Sequence, residues 1–369
     1  MKVGIMTFWW SDDNYGQLLQ CYALQKYLKT LGHDPYLIRY KWYSDVRKNP
    51  LPIRLLKALN PAFLYKYFKK KKDKAKIKIE AANNPRYFDE FRNRNINQSE
   101  TLFSSLQQLQ QNPPPADIYV VGSDQVWNFW NNPVRRFRNI IHAYFLDFGS
   151  PETKRISCAA SWGTTNIKQE YIKEISPLLE KFDYVGVREE SGINLCKQCG
   201  VDSPKWDSDP TQLLPAETYR VLYRENHIRK QKNKYLLLYA LNNKCELDIP
   251  AIYNFAQERN LEVIYITGNG TVDKHPKYFA TIPEWLYLID NAEYVITNSF
   301  HCCVFSILFN KQFAALPLNG KHAGMNSRMD SLFKRYKIEP RFIVANDFSI
   351  LDKKYTVNSE TCNIKNYFT

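Results

Sequence analysis

The chain has 369 residues, 44% hydrophobic and 24% charged, enough for two or three globular domains of the usual ~100–200 residues. Its 51 Lys and Arg against 37 Asp and Glu leave a net charge of +14, part of it concentrated in one lysine-rich run. No apolar run approaches the ~18–20 residues of a membrane span, and the N-terminus lacks an A-x-A-like cleavage site and reads as a core strand rather than a signal peptide. The eight cysteines are scattered, mostly inside apolar patterns, which predicts reduced thiols and a cytoplasmic location rather than a disulfide framework.

Residues 3–8 read as a strand and 9–15 as a polar turn. Residues 16–31 have apolar side chains (Leu18, Leu19, Tyr22, Ala23, Tyr27, Leu31) at helical spacing, stopped by Gly32. A strand at 36–40 completes a βαβ opening, without the G-x-G-x-x-G of a dinucleotide site. Residues 41–100 read as an irregular, basic, helix-leaning insertion that contains the lysine-rich run 66–78. That run has three readings: a solvated helix, a nucleic-acid patch lacking a recognition motif, or contact with an anionic membrane leaflet.

After Pro113-Pro114-Pro115 come strands at 118–121, 156–160 and 184–187, with a helix at 168–181. Asp209-Pro210-Thr211 closes the first half. The charged stretch that follows reads as a linker. A second series then runs strand 235–240, helix 249–259, strand 261–266, helix 283–291, strand 294–297 and helix 302–309. This alternation predicts an α/β protein with two doubly wound, Rossmann-like domains facing a cleft, the GT-B-like architecture of many glycosyltransferases. The expected divisions are an N-terminal domain 1–215 with insertion 41–100, a linker 216–234, a C-terminal domain 235–345 and a tail 346–369.

Five strand ends carry polar clusters: 11–16, 123–125, 161–163, 188–191 and 298–301. In open α/β sheets the ligand site is built along that carboxyl rim. His301 stands where a strand hands over to a helix, either as a titratable group above an anion hole or as a simple cap. Arg188 is a candidate anion ligand or a structural partner of Glu189, and Asp124 a polar site group or a helix cap. Cys196 and Cys199 have the spacing of half a zinc site with no second pair, and no G-x-S-x-G elbow supports hydrolase chemistry. The dense basic run is remote in sequence from the polar turns, so nucleic acid is not the expected ligand.

Taken together, Ser11-Asp12-Asp13-Asn14-Tyr15-Gly16-Gln17-Leu18-Leu19-Gln20, Val120–Asn128, Ala159-Ala160-Ser161-Trp162-Gly163, Val187-Arg188-Glu189-Glu190-Ser191, Asp209-Pro210-Thr211 and Thr297-Asn298-Ser299-Phe300-His301 resemble, in order and spacing, the polysaccharide pyruvyl transferase family. The resemblance implies transfer of the pyruvyl group of phosphoenolpyruvate to two sugar hydroxyls, forming a cyclic ketal and releasing phosphate, with no metal or other cofactor. His301 matches the family's catalytic histidine and Arg188 its donor-binding arginine, while the helix start at Ser299 and Phe300 offers N–H groups to the donor anion. Where some members have Arg-Leu-His this chain has Ser299-Phe300-His301, and many have Gly where it has Cys302. The second donor cation is therefore expected from Arg328 or Lys311, with Arg328 preferred.

Asp13, Asn14, Ser123, Asp124 and Trp162 are the expected acceptor side, with core packing the alternative for Trp162. The expected acceptor is a polyprenyl-diphosphate-linked saccharide at the inner face of the plasma membrane, with run 66–78 in peripheral contact with anionic lipid. The competing function is a GT-B glycosyltransferase with a nucleotide-sugar donor, which calls for a ribose-binding carboxylate in the C-terminal domain. No clear candidate for it stands in the sequence.

Overall fold

Strand β1 (Lys2–Met6) is hydrogen-bonded in parallel to β2 (Asp34–Tyr40) on one side and β4 (Ile118–Val121) on the other. The first βαβ unit therefore lies at the centre of its sheet. With β3 (Gln98–Phe103), β5 (Lys154–Ala160), β6 (Tyr184–Val187) and β7 (Lys205–Trp206), the order is β3-β2-β1-β4-β5-β6-β7. A second sheet contains β8 (Tyr235–Ala240), β9 (Glu262–Thr267), β10 (Tyr294–Thr297) and β11 (Gln312–Ala315) in the order β11-β10-β8-β9. Every strand pair in both sheets is parallel. Buried parallel strands need both faces covered, which is why β4 (IYVV) and β8 (YLLLYA) are apolar runs rather than alternating ones. The computed structural model describes residues 1–42, 46, 61–129, 132–226, 228–242, 245, 247–268, 271 and 273–357, with backbone alone at Lys66, Lys70, Lys74 and Lys321.

The described helices are α1 (Tyr15–Thr30), α2 (Pro61–Asn83), α3 (Phe88–Asn95), α4 (Leu106–Gln111), α5 (Val134–Tyr144), α6 (Gln169–Leu179), α7 (Glu190–Gln198), α8 (Ala216–Arg224), α9 (Ile249–Gln257), α10 (Ile282–Asp290), α11 (Phe300–Leu308) and α12 (Ser327–Arg335). In each sheet the strand order reverses beside the first strand, between β1 and β4 and between β8 and β10. These are the switch points at which doubly wound sheets open a crevice.

Helix α1 is buried on nearly every side. Its Tyr15, Leu18, Leu19 and Tyr22 share one apolar cluster with Trp285, Phe300 and Phe305 from the second sheet's helices. A helix buried all round belongs to the middle of a molecule rather than its surface, and α1 joins the two domains.

Three expected divisions are redrawn. The stretch 216–234 is not a plain linker: α8 docks on α10, where Arg220 donates to Asp290 at 2.8 and 3.1 Å, Tyr223 donates to the same carboxylate at 2.6 Å, and Tyr219 is fully buried. Its Arg220 and Arg224 belong to a packed helix and pair with Asp290 and Glu217. The end of the expected insertion 41–100 enters β3, an edge strand of the first sheet; residues 43–45 and 47–60 lie outside the described residues. The expected tail packs back as far as 357, with Leu351 fully buried and the Tyr355 hydroxyl donating to the Lys311 carbonyl at 2.8 Å. Residues 358–369 lie outside the described residues. No described helix is long and apolar enough to cross a membrane.

Candidate active site

The turn after β10 is fixed by its own side chains. Thr297 Oγ1 donates to the Tyr239 carbonyl at 2.7 Å and accepts from Ser299 N–H at 3.0 Å. Asn298 Oδ1 accepts from Leu241 N–H at 2.8 Å, and its amide donates to the Asn242 carbonyl at 2.7 Å. Ser299 then caps α11 by accepting from Cys302 N–H at 3.4 Å. His301 is thereby held in the first helical turn, 5% exposed. Its Nδ1 faces Gly16 at the start of α1, where a Cβ would stand only 2.2 Å away. Its Nε2 lies 3.4 Å from Asp209 Oδ2 and makes no hydrogen bond.

Asp209, just beyond β7, ties the rim together. Oδ1 accepts from Thr211 N–H at 3.1 Å and from Thr211 Oγ1 at 2.7 Å, while Gln212 Oε1 accepts from the Asp209 N–H at 2.8 Å. Oδ2 accepts from Ser123 Oγ at 2.6 Å and from Arg188 Nη1 at 3.1 Å. Burial by itself would raise the Asp209 pKa, but His301, Arg188 and the Ser123 hydroxyl outweigh it and hold the carboxyl well below the usual range. The balance of these contacts favours the carboxylate form of Asp209.

Arg188 follows β6 and is 3% exposed. Besides Asp209 it reaches Glu189 Oε1 at 3.3 Å, and its guanidinium lies over the Phe300 ring at 4.3 Å. Burial would lower its pKa; the carboxylates of Glu189, Asp209 and Asp124 raise it instead. Nη2 of Arg188 and Oε2 of Glu189 have no hydrogen-bond partner, and Ser161 Oγ donates to Glu189 Oε1 at 2.6 Å. Arg328, from α12, is buried, and among the described residues it makes one hydrogen bond, Nε to the Met325 carbonyl at 3.0 Å. Burial and then the like charge of Arg188 bring it down to about 10, against the opposing pull of Glu189 and Asp124. Arg188, Arg328, Glu189 and Asp124 thus form one electrostatic cluster beside the Asp209–His301 contact.

The expected residues separate cleanly. His301, Ser299, Phe300, Arg188, Arg328, Ser123 and Asp124 are brought together. Asn14 is the N-cap residue of α1, and Asp13 is next to it, with Asp13 Oδ1 accepting from Ser11 Oγ at 2.8 Å. A Cβ on Gly268 would be 3.3 Å from Asp13 Oδ2, so this loop of the first domain touches the end of β9. Lys311 is not part of the cluster. It follows the C-terminal end of α11 and precedes β11, and nine helical residues at 1.5 Å each separate it from His301's end.

Trp162 is not a sugar platform either. It is 1% exposed and packed with Trp127 and Phe145 at ring separations of 5.0 and 6.2 Å. An indole in a polar turn reads the same in sequence whether it faces solvent or core. Asp209 is the residue whose role the sequence leaves unstated; Asp209-Pro210-Thr211 reads there only as the close of the first half, and the structure shows it capping a 3-10 turn. Cys196 and Cys199 are buried, with thiols pushed up by burial to about 12 and about 11. Among the described residues no group of three or more His, Cys, Asp or Glu is placed to hold a metal.

The mouths of α1, α7 and α11 therefore converge on one buried cluster of two arginines, a histidine and an ionised aspartate. Helix N-termini and paired guanidinium groups together are suited to an anion with more than one charged group.

The fold is similar to UDP-GlcNAc 2-epimerase from Methanocaldococcus jannaschii, at a TM-score of 0.52 and 13% identity over 99% of this chain and 97% of that one. Two further solved structures are more distant: UDP-N-acetylglucosamine 2-epimerase from Rickettsia bellii (TM-score 0.48, 8% identity, 89% and 88% covered) and MurG from Acinetobacter baumannii (0.41, 9%, 95% and 88%). At 13% identity the likeness to the first of these shows the fold alone, and with the two parallel sheets it gives two Rossmann-like domains in a GT-B-like arrangement. No curated protein sequence matches the chain. The family model for polysaccharide pyruvyl transferase matches residues 14–319, a span that includes Arg188, Asp209 and His301, and the chain belongs to the polysaccharide pyruvyl transferase family.

Proposed function

We propose that the protein transfers the pyruvyl group of phosphoenolpyruvate to two hydroxyls of a sugar, with Arg188 and Arg328 receiving the donor's carboxylate and phosphate. The observation that carries this reading is the pair of buried arginines. Arg188 has an unpartnered Nη2, and Arg328 is depressed by burial and by its neighbour's charge. A donor with two anionic groups relieves both penalties at once. The arginine absent at Ser299 is thus supplied from α12.

In this reaction a proton is delivered to the vinyl CH₂ of the donor, and a sugar oxygen bonds to C2 after losing its own proton. The second hydroxyl then displaces phosphate from C2, its proton leaving with the phosphate, and closes the ketal. His301 handles the proton through Nε2, since Gly16 occupies the Nδ1 side. Asp209, 3.4 Å from Nε2 and not hydrogen-bonded to it, supports positive charge on the imidazole through its field. The helix mouth at Ser299 and Phe300 stabilises the departing phosphate. Arg188, Asp209 and His301 are each at most 5% exposed, so the domains part to admit the donor. The acceptor enters beside Asp13 and Asn14, and a polyprenyl-diphosphate-linked saccharide is the acceptor class proposed.

The test is to incubate the protein with phosphoenolpyruvate, and separately with nucleotide sugars, against a panel of saccharides, following phosphate release and product mass. A product heavier by one pyruvate ketal, formed only with phosphoenolpyruvate, supports the reading. Transfer of a sugar from a nucleotide donor without ketal formation overturns it.

A further inference from the structure

Helix α2 runs for 23 residues, from Pro61 to Asn83, and only one of its faces is turned to the protein. Asp73, Ile77, Glu80 and Ala81 are partly covered, and Glu80 pairs with Lys277 of the C-terminal domain at 3.8 Å. At 3.6 residues per turn, Leu64, Phe68, Ala75 and Ile79 fall within about 60° of one another on the opposite side. All four are exposed, Phe68 by 60% and Ile79 by 62%.

This apolar stripe has a lysine row along each edge. Lys71 and Lys78 flank it on one side and Lys72 and Lys76 on the other, all exposed. Tyr65 and Tyr67, 69% and 55% exposed, stand at the edges of its N-terminal end. Monomeric proteins rarely leave Leu, Phe and Ile together in water without a partner. A narrow apolar stripe between lysines, with tyrosines at its margin, is the pattern of a helix lying in a membrane interface.

We infer that α2 lies flat on an anionic lipid surface, with Leu64, Phe68 and Ile79 entering the headgroup–acyl boundary and the flanking lysines meeting lipid phosphates. Charge complementarity selects this occupant, because four lysines border the stripe and the face carries no acid. A nucleic-acid surface would use the lysines but gain nothing from the exposed Leu–Phe–Ile stripe. The inference is independent of the donor chemistry.

It also places the site. Three residues beyond α2, Arg86 donates to the Thr267 carbonyl at 2.7 Å, and its guanidinium lies 5.9 Å from the Tyr15 ring. Tyr15 adjoins Gly16, the residue against His301. The helix therefore ends at the cleft, and if the reading above holds, a lipid-anchored acceptor is presented there.

Flotation of the full chain with vesicles tests the inference. Strong binding is expected to phosphatidylcholine vesicles containing about 30% phosphatidylglycerol and little to phosphatidylcholine alone. Replacing Lys71, Lys72, Lys76 and Lys78 by Gln together should weaken binding about 10²–10³-fold, from about 1 kcal/mol per basic side chain. Leu64→Ser with Phe68→Ser and Ile79→Ser should abolish the part of the binding that survives 0.5 M salt (roughly a 4–5 Å screening length). These residues are exposed, so unchanged thermal melts of both variants confirm folding. Wild-type protein that ignores anionic vesicles, or lysine variants that bind as wild type, overturns the inference. Tighter binding to a single-stranded oligonucleotide than to the vesicles overturns it as well.

Discussion

Gly16 of the first domain and His301 of the second are in contact so close that a Cβ on Gly16 would lie 2.2 Å from His301 Nδ1 and 2.6 Å from its Cβ. Elsewhere in a helix, Gly to Ala gains about 0.5–1 kcal/mol. Gly16→Ala is expected to do the opposite, pushing the imidazole away from Asp209 or the domains apart. A displacement of about 1 Å is enough to cost roughly 10²-fold in turnover. Measured kcat together with melting temperature tests this; a variant more stable than wild type with full kcat would show that the contact positions nothing.

Removing the imidazole itself separates chemistry from binding. His301→Ala should lower kcat by about 10²–10⁴-fold, the usual worth of a general acid or base. Donor affinity measured by calorimetry should persist, because the groups proposed to bind the anion are Arg188, Arg328 and the helix mouth. Wild-type kcat in this variant would remove His301 from the mechanism.

Arg328→Gln is the informative probe of the donor cations. Arg188→Ala would strand the buried carboxylates of Asp209 and Glu189, a loss of about 3–5 kcal/mol that confuses folding with binding. Among the described residues Arg328 makes one hydrogen bond, to the Met325 carbonyl, and its charge is penalised by burial. Its replacement should leave the fold intact and weaken donor affinity about 10–100-fold, the worth of a charged hydrogen bond. Lys311→Gln, at the far end of α11, should leave donor affinity unchanged.

Much of this was legible in the sequence because buried parallel strands write themselves as apolar runs and their carboxyl ends as polar turns. The β10 turn and His301 were readable for that reason, as were Arg188 after β6 and the α/β alternation itself. What the sequence hid is proximity. Nothing in Asp209-Pro210-Thr211 says that its carboxylate touches Ser123, Arg188 and His301, residues 86, 21 and 92 positions away. Charge misled in the same way: Arg220 on a packed helix and Arg224 at its end look in sequence like a solvated linker. Arg328 is preferred over Lys311 from the sequence, and the fold places it within electrostatic reach of Arg188.

Trp162 provides a test of that correction. If it packs the core, Trp162→Ala should destabilise the protein by about 3–5 kcal/mol. Trp162→Phe should cost less, and acceptor KM should stay unchanged in the folded Phe variant. A raised acceptor KM without loss of stability in Trp162→Phe would return the indole to the sugar site. Denaturant melts and acceptor titrations decide between them.

Far from the active site, His142 makes stability depend on pH. Its Nδ1 meets Asp147 at 2.7 Å and its Nε2 meets Glu174 of α6 at 2.6 Å, while Arg138 and Lys181 brace the same carboxylates. The bond to Asp147 raises the His142 pKa above its ordinary value, against burial and with help from Glu174; in return Asp147 is lowered to about 2. A histidine whose pKa is higher folded than unfolded adds stability in full below its unfolded value of about 6.5 and loses it as pH rises through the folded value. Asp147 works in the other direction, stabilising above about 3.9 and failing as pH falls toward its lowered value. Wild-type melting temperature should therefore fall relative to His142→Asn, which lacks the titrating group, over the interval in which pH rises from about 6.5 through the raised folded value. Melting curves of the two proteins that run parallel across that interval would show that the network is held without the histidine's charge.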